Sequence, residues 1–186
     1  MYEWHRTEQA SKMGFTCGYC GREAAPNKMY QDTNSIGRIL ICPSCTQPSF
    51  FGAGSLQVPS VRMGRDVAGI SSKDIATLYN EARDCTSAGA FNATVMICRK
   101  ILMNLAVQHG AEENKNFLHY VDHLTNSGFV PPQGRQWVDA IRTKGNEANH
   151  EIALMDKKDA QLILHFTEAL LRFNYEMPHI FENHSK

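Results

Sequence analysis

Residues 91–107 read FNATVMICRKILMNLAV, and this stretch decides the predicted fold. Its main apolar side chains recur at alternating steps of four and three residues: Phe91, Val95, Cys98, Leu102 and Leu105. That spacing places them on one face of an α-helix, and Gly110 is a natural end for it. Because an apolar stripe of this length must be buried against other helices, the stretch predicts the centre of a helical domain.

Helical periodicity continues on both sides of this stretch. One helix is predicted to begin after Ser71 and Ser72, both candidate N-caps, and a short one covers residues 117–124. Another opens at Trp137, and the last begins at the N-cap candidate Asp156 and ends at Pro178. The pattern predicts a mainly α fold, an antiparallel bundle of four or five helices.

The N-terminal part carries a different signal, two pairs of cysteines. Cys17 and Cys20 form one Cys-x-x-Cys pair, and Cys42 and Cys45 form the other. This spacing is typical of two tight turns that converge on one tetrahedral zinc ion. Four thiolates close the coordination shell, so we expect one structural Zn²⁺ per chain. The alternative, surface disulfides or idle thiols, is disfavoured because the N-terminus lacks the apolar segment of a signal peptide.

The residues between the two cysteine pairs predict a β-hairpin. Residues 28–33 and 38–41 have strand character, and the Asn-Ser-Ile-Gly sequence at 34–37 is typical of a turn. The hairpin would deliver the second cysteine pair to the first. This arrangement is that of a zinc ribbon.

Composition shifts along the chain define the predicted domains. We expect a zinc ribbon over residues 1–46, a linker over 47–70 and the helical bundle over 71–186. The linker is assigned because that segment holds Pro48, Pro59 and four glycines, which interrupt regular structure.

Composition and charge exclude several function classes. The 186 residues are 42% hydrophobic and 20% charged, which is typical of a globular protein. Basic and acidic residues number 19 each, so any nucleic-acid binding must depend on a local surface. No run of about 20 apolar residues is present, so we expect no membrane association and a cytoplasmic location.

One predicted helix carries a polar ladder. Arg142, Asn146 and His150 are four residues apart and therefore share a stripe of the helix. In a functional interpretation, His150 transfers protons, Arg142 neutralises phosphate and Asn146 orients the group, as in a metal-independent ribonuclease. Arg99 and Lys144 are candidate phosphate-binding residues. In the structural interpretation, the ladder instead hydrogen-bonds neighbouring helices and fixes their register.

The segments EARDCTSAGAFNATVMICRKILMNLAV (81–107) and IRTKGNEANHEI (141–152) resemble a bacterial family known as domain of unknown function 4145. The resemblance spans about residues 72–176, and members often carry an N-terminal zinc ribbon. The family is placed by similarity with the HEPN superfamily. The resemblance therefore implies a HEPN-like helical bundle.

HEPN ribonucleases pair two subunits so that Arg-Asn-x-x-x-His motifs meet in one RNA-cutting cleft. By resemblance, Asn146 and His150 occupy their motif positions. The motif arginine is replaced by Gly145, and Arg142, one turn earlier, is the candidate substitute.

The resemblance implies an RNA-associated homodimer acting in bacterial defence or stress response, which binds RNA and is a candidate for metal-independent cleavage. The competing hypothesis is a non-enzymatic adaptor, in which ribbon and bundle bind a protein partner.

Overall fold

A computed structural model of the protein describes residues 4–7, 13–34, 36–131, 134–150 and 154–184. The chain forms two compact units, Met1–Arg62 and Met63–Lys186. The first holds the cysteine pairs and the strands, and the second holds the long helices.

The described residues of the first unit form seven short strands. They are β1 (Trp4–Thr7), β2 (Phe15–Thr16), β3 (Glu23–Ala24), β4 (Lys28–Asp32), β5 (Arg38–Ile41), β6 (Pro48–Phe51) and β7 (Gln57–Val58). Five of them form an antiparallel sheet in the order β1-β4-β5-β6-β7, while β2 and β3 pair separately. The predicted hairpin is confirmed, since β4 pairs with β5.

One face of the five-stranded sheet, the inner face, packs on the core of this unit. Met29, Leu40 and Phe51 lie there, because residues directly opposite one another in antiparallel strands project to the same side. They pack in one cluster with Phe15 and the buried cysteines Cys17 and Cys42. The cysteine pairs are therefore part of the core of a unit that has few other buried side chains.

The turn between β4 and β5 is organised by a buried carboxylate. Asp32 is 1% exposed, and its side chain accepts hydrogen bonds from the backbone N–H of Asn34 (2.7 Å), Ile36 (3.5 Å) and Gly37. These donors satisfy the buried carboxylate within its own hairpin.

The prediction of a mainly α fold is wrong, because the described residues include two antiparallel sheets beside the helices. Strands β6 and β7 lie inside residues 47–70, the predicted linker. These two strands cannot be recognised from the sequence, for a physical reason. Phe50 and Phe51 are adjacent and project to opposite faces of the sheet, so β6 shows no alternation of apolar and polar residues.

The second unit contains the predicted helices. They are α1 (Lys73–Ser87), α2 (Phe91–Gln108), α3 (Phe117–Asn126), α4 (Arg135–His150), α5 (Lys157–Leu171) and α6 (Met177–His184). Of the N-cap candidates, Ser72 and Asp156 are confirmed and Ser71 is not, since the side chains of Ser72 and Asp156 accept backbone hydrogen bonds from Ile75 (3.3 Å) and Asp159 (2.8 Å). Helix α2 is central and packs against α1, α3, α4 and α5, as its apolar stripe requires.

The last predicted helix end is wrong, because helical structure continues beyond Pro178. A π-helical segment, Arg172–Glu176, follows α5, and α6 begins directly after it at Met177. Pro178 is the second residue of α6 and directly follows the π-helical segment, in which the N–H of Met177 donates to the carbonyl of Arg172 five residues earlier. The rule that proline ends a helix assumes regular bonding to the residue four positions earlier, and the π-helical segment interrupts that pattern just before Pro178.

Residues 63–70, here called the entry segment, are held to the helices by a buried arginine. Arg83 of α1 donates from Nε to the carbonyl of Met63 (2.9 Å) and from Nη2 to that of Gly64 (3.1 Å). Its Nη1 donates to Asp66 Oδ1 (2.6 Å) and Asn80 Oδ1 (3.1 Å). One planar guanidinium thus binds two backbone carbonyls and two side chains.

Two further buried side chains hold the same segment. The backbone N–H of Arg65 donates to Glu168 Oε2 (3.2 Å), and its carbonyl accepts from the Tyr79 hydroxyl (2.9 Å). Burial, followed by the charge of Glu168, raises the pKa of Tyr79, which keeps its proton available for donation. Gly64 is needed here, since a β-carbon on it would lie 2.8 Å from Glu168 Oε2.

Candidate metal centre

Each cysteine pair lies in a tight turn with the same backbone hydrogen bonds. In the first turn, the Cys17 N–H donates to the carbonyl of Arg22 (3.0 Å), and the Gly21 N–H donates back to the carbonyl of Cys17 (2.9 Å). In the second turn, the Cys42 N–H donates to the carbonyl of Gln47 (3.1 Å), and the Thr46 N–H donates back to the carbonyl of Cys42 (2.9 Å). The matching pattern makes the two turns equivalent halves of one site.

Both turns need a left-handed residue at the same position. Gly21 has a φ of 69°, and Thr46, at the equivalent position, has a φ of 60°. Threonine adopts this conformation at a cost that glycine avoids, so the second turn is the more strained half. Gly18 is required for another reason, because a β-carbon there would lie 2.1 Å from the carbonyl oxygen of Pro59.

The two turns bring four sulfur atoms together. The Sγ atoms of Cys17 and Cys45 are 3.6 Å apart, those of Cys20 and Cys42 are 3.8 Å apart, and all four lie within 4.8 Å of one another. A disulfide requires about 2.05 Å, so these cysteines are not paired covalently. Four sulfurs about 2.3 Å from one tetrahedral ion would be separated by about 3.8 Å. The cluster fits a metal ion.

Two thiols of the cluster, Cys42 and Cys45, have pKa values shifted in opposite directions. Burial raises the pKa of Cys42, but hydrogen bonds from the backbone of Cys45 and Ser44, together with those from the Cys45 and Cys20 side chains, lower it to about 7. A backbone hydrogen bond from Gln47 lowers the pKa of Cys45, yet burial and the neighbouring sulfurs together raise it to about 12. Crowded thiols resist losing several protons, and a bound cation would relieve that repulsion.

Burial divides the cluster into an inner and an outer half. Cys17 and Cys42 are fully buried in the core of the first unit, Met1–Arg62, here called the ribbon, whereas Cys20 is exposed and Cys45 is partly exposed. Among the described residues, these four form the one group of three or more His, Cys, Asp or Glu side chains that can share an ion. With four sulfur ligands, no coordination position is left for a substrate, so the arrangement suits a structural metal.

The helices of the second unit identify the family. A model for the family described as "Domain of unknown function (DUF4145)" matches residues 80–183, which is more than half of the chain. The chain belongs to the DUF4145 family. The resemblance read from residues 81–107 and 141–152 is thereby confirmed at the level of the family. No curated protein and no solved structure matches the chain.

Within the DUF4145 region, the ladder residues lie on α4, whose backbone is helical from Arg135 to His150. The side chains of Arg142, Lys144, Asn146 and His150 lie outside the part that the structure describes. Their catalytic and phosphate-binding roles remain predictions.

The other phosphate-binding candidate of the DUF4145 region, Arg99, is engaged within the protein. Its guanidinium lies 4.3 Å from the centre of the Phe117 ring, a cation–π contact. Burial lowers the pKa of Arg99 from its ordinary value. This contact holds the guanidinium against an aromatic ring of the core.

Several aromatic rings of the DUF4145 helices pack within the helical unit. Phe117 and Tyr120 are buried, and Trp137 stacks on Phe166 with ring centres 5.5 Å apart. These rings therefore contact other side chains of the same unit. None of the helices in the described part of the chain has both the length and the apolar character of a transmembrane span.

Proposed function

We propose that this DUF4145 protein is an RNA-associated protein whose ribbon, folded around a structural zinc ion, provides an RNA-contacting surface. The observation that carries this proposal is the sign of the exposed charge on the ribbon. Arg6, Arg22 and Lys28 are exposed, and Glu23 is the one exposed acidic side chain among the described ribbon residues. The other described acidic residue, Asp32, is buried.

This charge excess is local. The whole chain has 19 basic and 19 acidic residues, so it has no net field to attract a polyanion. A small basic surface on a neutral protein gives binding that depends on a few phosphate contacts and weakens as salt rises. RNA is favoured over an acidic protein because the α4 segment Asn146-x-x-x-His150 is similar to a ribonuclease motif.

Zinc is the proposed metal because all four ligands are thiolates. Thiolate sulfur is a soft ligand that suits Zn²⁺ and disfavours Mg²⁺ and Ca²⁺, and a closed tetrahedral set is the usual structural zinc site. One ion per chain would join the two cysteine turns. Bound zinc would neutralise their charge and hold the ribbon together.

The α4 ladder is proposed as a second RNA contact. In a homodimer, the ladders of two subunits would form one cleft, in which His150 would transfer protons and Arg142 would neutralise phosphate. Cleavage can be tested separately from binding, because His150→Ala would abolish cleavage of the RNA strand and leave the RNA-binding surface of the ribbon intact. Recovering the RNA after incubation and measuring its length distinguishes the two.

Charge reversal on the ribbon tests the binding proposal. In the triple variant Arg6→Glu, Arg22→Glu, Lys28→Glu, the affinity for a fluorescein-labelled 20-nucleotide RNA should fall at least tenfold, because phosphate contacts are lost. Fluorescence anisotropy at several salt concentrations measures this. The slope of log affinity against log salt should fall by about 0.7 for each contact removed.

A control variant reverses the same amount of charge elsewhere. Lys73, Lys100 and Lys158 are exposed on the helical unit, and the control is their triple substitution by glutamate. We expect its affinity to stay within about twofold of the natural protein after allowance for long-range charge. Equal losses in the two triple variants would contradict a ribbon surface, and no RNA binding by the natural protein would contradict the function itself.

A further inference from the structure

The five-stranded sheet has a second face, opposite to the one that packs on the ribbon core. Cross-strand pairing aligns Arg6 with Tyr30, Tyr30 with Ile39, Ile39 with Phe50, and Phe50 with Val58. Because directly paired residues project to the same side, these five form one row across all five strands. Trp4 and Lys28 lie on the same side. We call this surface the outer face.

The outer face does not take part in the ribbon core. The core cluster and the residues packed against it come from the inner face, the cysteine turns and neighbouring segments, and none belongs to the outer face. Trp4 is 41% exposed and Val58 is 52% exposed, while Tyr30 and Phe50 are partly exposed. An apolar and aromatic surface that is left outside the core of its own unit is typical of a binding site.

Two of the aromatic rings are held in fixed positions. Trp4 and Phe50 meet edge to face, with ring centres 6.2 Å apart and an angle of 75° between their planes. Both rings lie close over Gly37 of the hairpin turn, where a β-carbon would be 3.0 Å from Trp4 and 3.2 Å from Phe50. The rings are therefore positioned by the backbone before any ligand arrives, which lowers the entropy lost on binding.

The exposed charge on this face is basic. Arg6 and Lys28 are exposed, and Arg6 lies directly opposite Tyr30. Asp32 projects to the same side, but it is buried and its carboxylate accepts the backbone hydrogen bonds of the β4–β5 turn. Among the described outer-face residues, cationic groups therefore flank aromatic rings without an exposed carboxylate between them.

We infer that the outer face binds single-stranded RNA, with bases stacked on Trp4 and Tyr30 and phosphates near Arg6 and Lys28. This inference rests on the proposed function and names where and in what form the RNA is bound. Aromatic rings and cations on a sheet suit unpaired bases, because each base has a face that can stack and each nucleotide carries a phosphate. In duplex RNA the base faces are occupied by neighbouring pairs. A single strand should therefore bind more tightly than a duplex.

The test compares aromatic and aliphatic side chains on the full-length, zinc-loaded protein. Trp4→Leu and Tyr30→Leu keep apolar bulk but remove the stacking surface, so each should weaken binding of a 12-nucleotide single-stranded RNA by about tenfold. Phe173→Leu, a replacement of an exposed ring on the helical unit, serves as the matched control and should change affinity less than twofold. Bound zinc and the thermal unfolding of each variant establish that the ribbon stays folded.

Tryptophan emission gives a second readout that does not depend on any change in affinity. The chain has two tryptophans, Trp4 and Trp137, so in a Trp137→Phe variant all tryptophan emission comes from Trp4. Stacking of a base on Trp4 should quench that emission as single-stranded RNA is added, and the matching duplex should quench it less. Unchanged emission at saturating RNA would overturn the assignment of Trp4.

The outcomes separate this inference from the proposed function. If the natural protein binds RNA and both leucine variants bind it equally well, the outer-face assignment is wrong and the proposed function stands. If the natural protein binds no RNA, both are wrong. If the natural protein self-associates, and the leucine variants disperse it without changing RNA affinity, the outer face is a protein interface and the inference is overturned.

Discussion

Replacing Cys42 with serine should remove the metal from the protein and unfold the ribbon, while the helical unit keeps its structure. Cys42 is fully buried and belongs to a small cluster of buried residues, so the ribbon has little apolar core besides the cysteine site. Structural zinc in small domains contributes on the order of 10 kcal/mol of folding free energy. The helical unit has its own extensive core and does not depend on that energy.

Metal analysis and hydrogen exchange measure the two parts of this expectation. The natural protein should carry one zinc per chain, and the variant should carry almost none. Amides of β4 and β5 should lose protection in the variant, whereas amides of α2 should keep it. Cys85→Ser is the control, because Cys85 lies outside the cluster, and it should retain the metal. A folded ribbon in metal-free Cys42→Ser protein would contradict a structural metal.

Replacing Arg83 with alanine should be the most damaging single change among the polar residues described for the helical unit. The guanidinium is buried and makes four hydrogen bonds, two of them to the carbonyls of Met63 and Gly64. Its removal leaves these carbonyl acceptors without their donor. We expect a loss of about 3 kcal/mol in the free energy of unfolding, which corresponds to roughly 10 °C in Tm.

Two further variants locate the origin of that loss. Asp66→Ala removes the ion-pair partner of Arg83, but the Asp66 side chain is 94% exposed, so we expect a change of less than about 1 kcal/mol. Arg83→Lys keeps the charge without the planar set of donors and should recover only part of the stability. Thermal denaturation followed by circular dichroism provides the values. An Asp66→Ala loss as large as that of Arg83→Ala would show that the ion pair, and not the backbone hydrogen bonds, is what matters.

The features that the sequence predicted well are those encoded by local spacing. The cysteine pairs, the hairpin between them and the apolar stripe of α2 each follow from residues close together in the chain. The N-caps at Ser72 and Asp156 are of the same kind, because a cap is formed with a residue three positions away. Such signals can be read before any tertiary contact is known.

The features that the sequence did not reveal depend on contacts between residues that are far apart in the chain. β6 and β7 are recognisable only once β5 is in place, since Phe50 and Phe51 give no alternating pattern of their own. The outer face joins Arg6 to Val58 through five strands, and Arg83 meets an entry segment about twenty residues before it. The clue available in the sequence was that an aromatic and a basic residue lie two positions apart in two places, Trp4 with Arg6 and Lys28 with Tyr30. Only the strand register shows that these residues share one face of the sheet.

In the proposed function, the metal-bound ribbon is the part of the protein that binds RNA. One titration tests it most directly: the affinity of the full-length protein for a labelled single-stranded RNA, measured with zinc bound, after zinc removal by a chelator, and after zinc is restored. We expect removal of zinc to weaken binding at least tenfold and its return to restore the original affinity, because the basic and aromatic side chains are arranged only in the folded ribbon. Equal affinity of the zinc-bound and zinc-free protein would contradict the account.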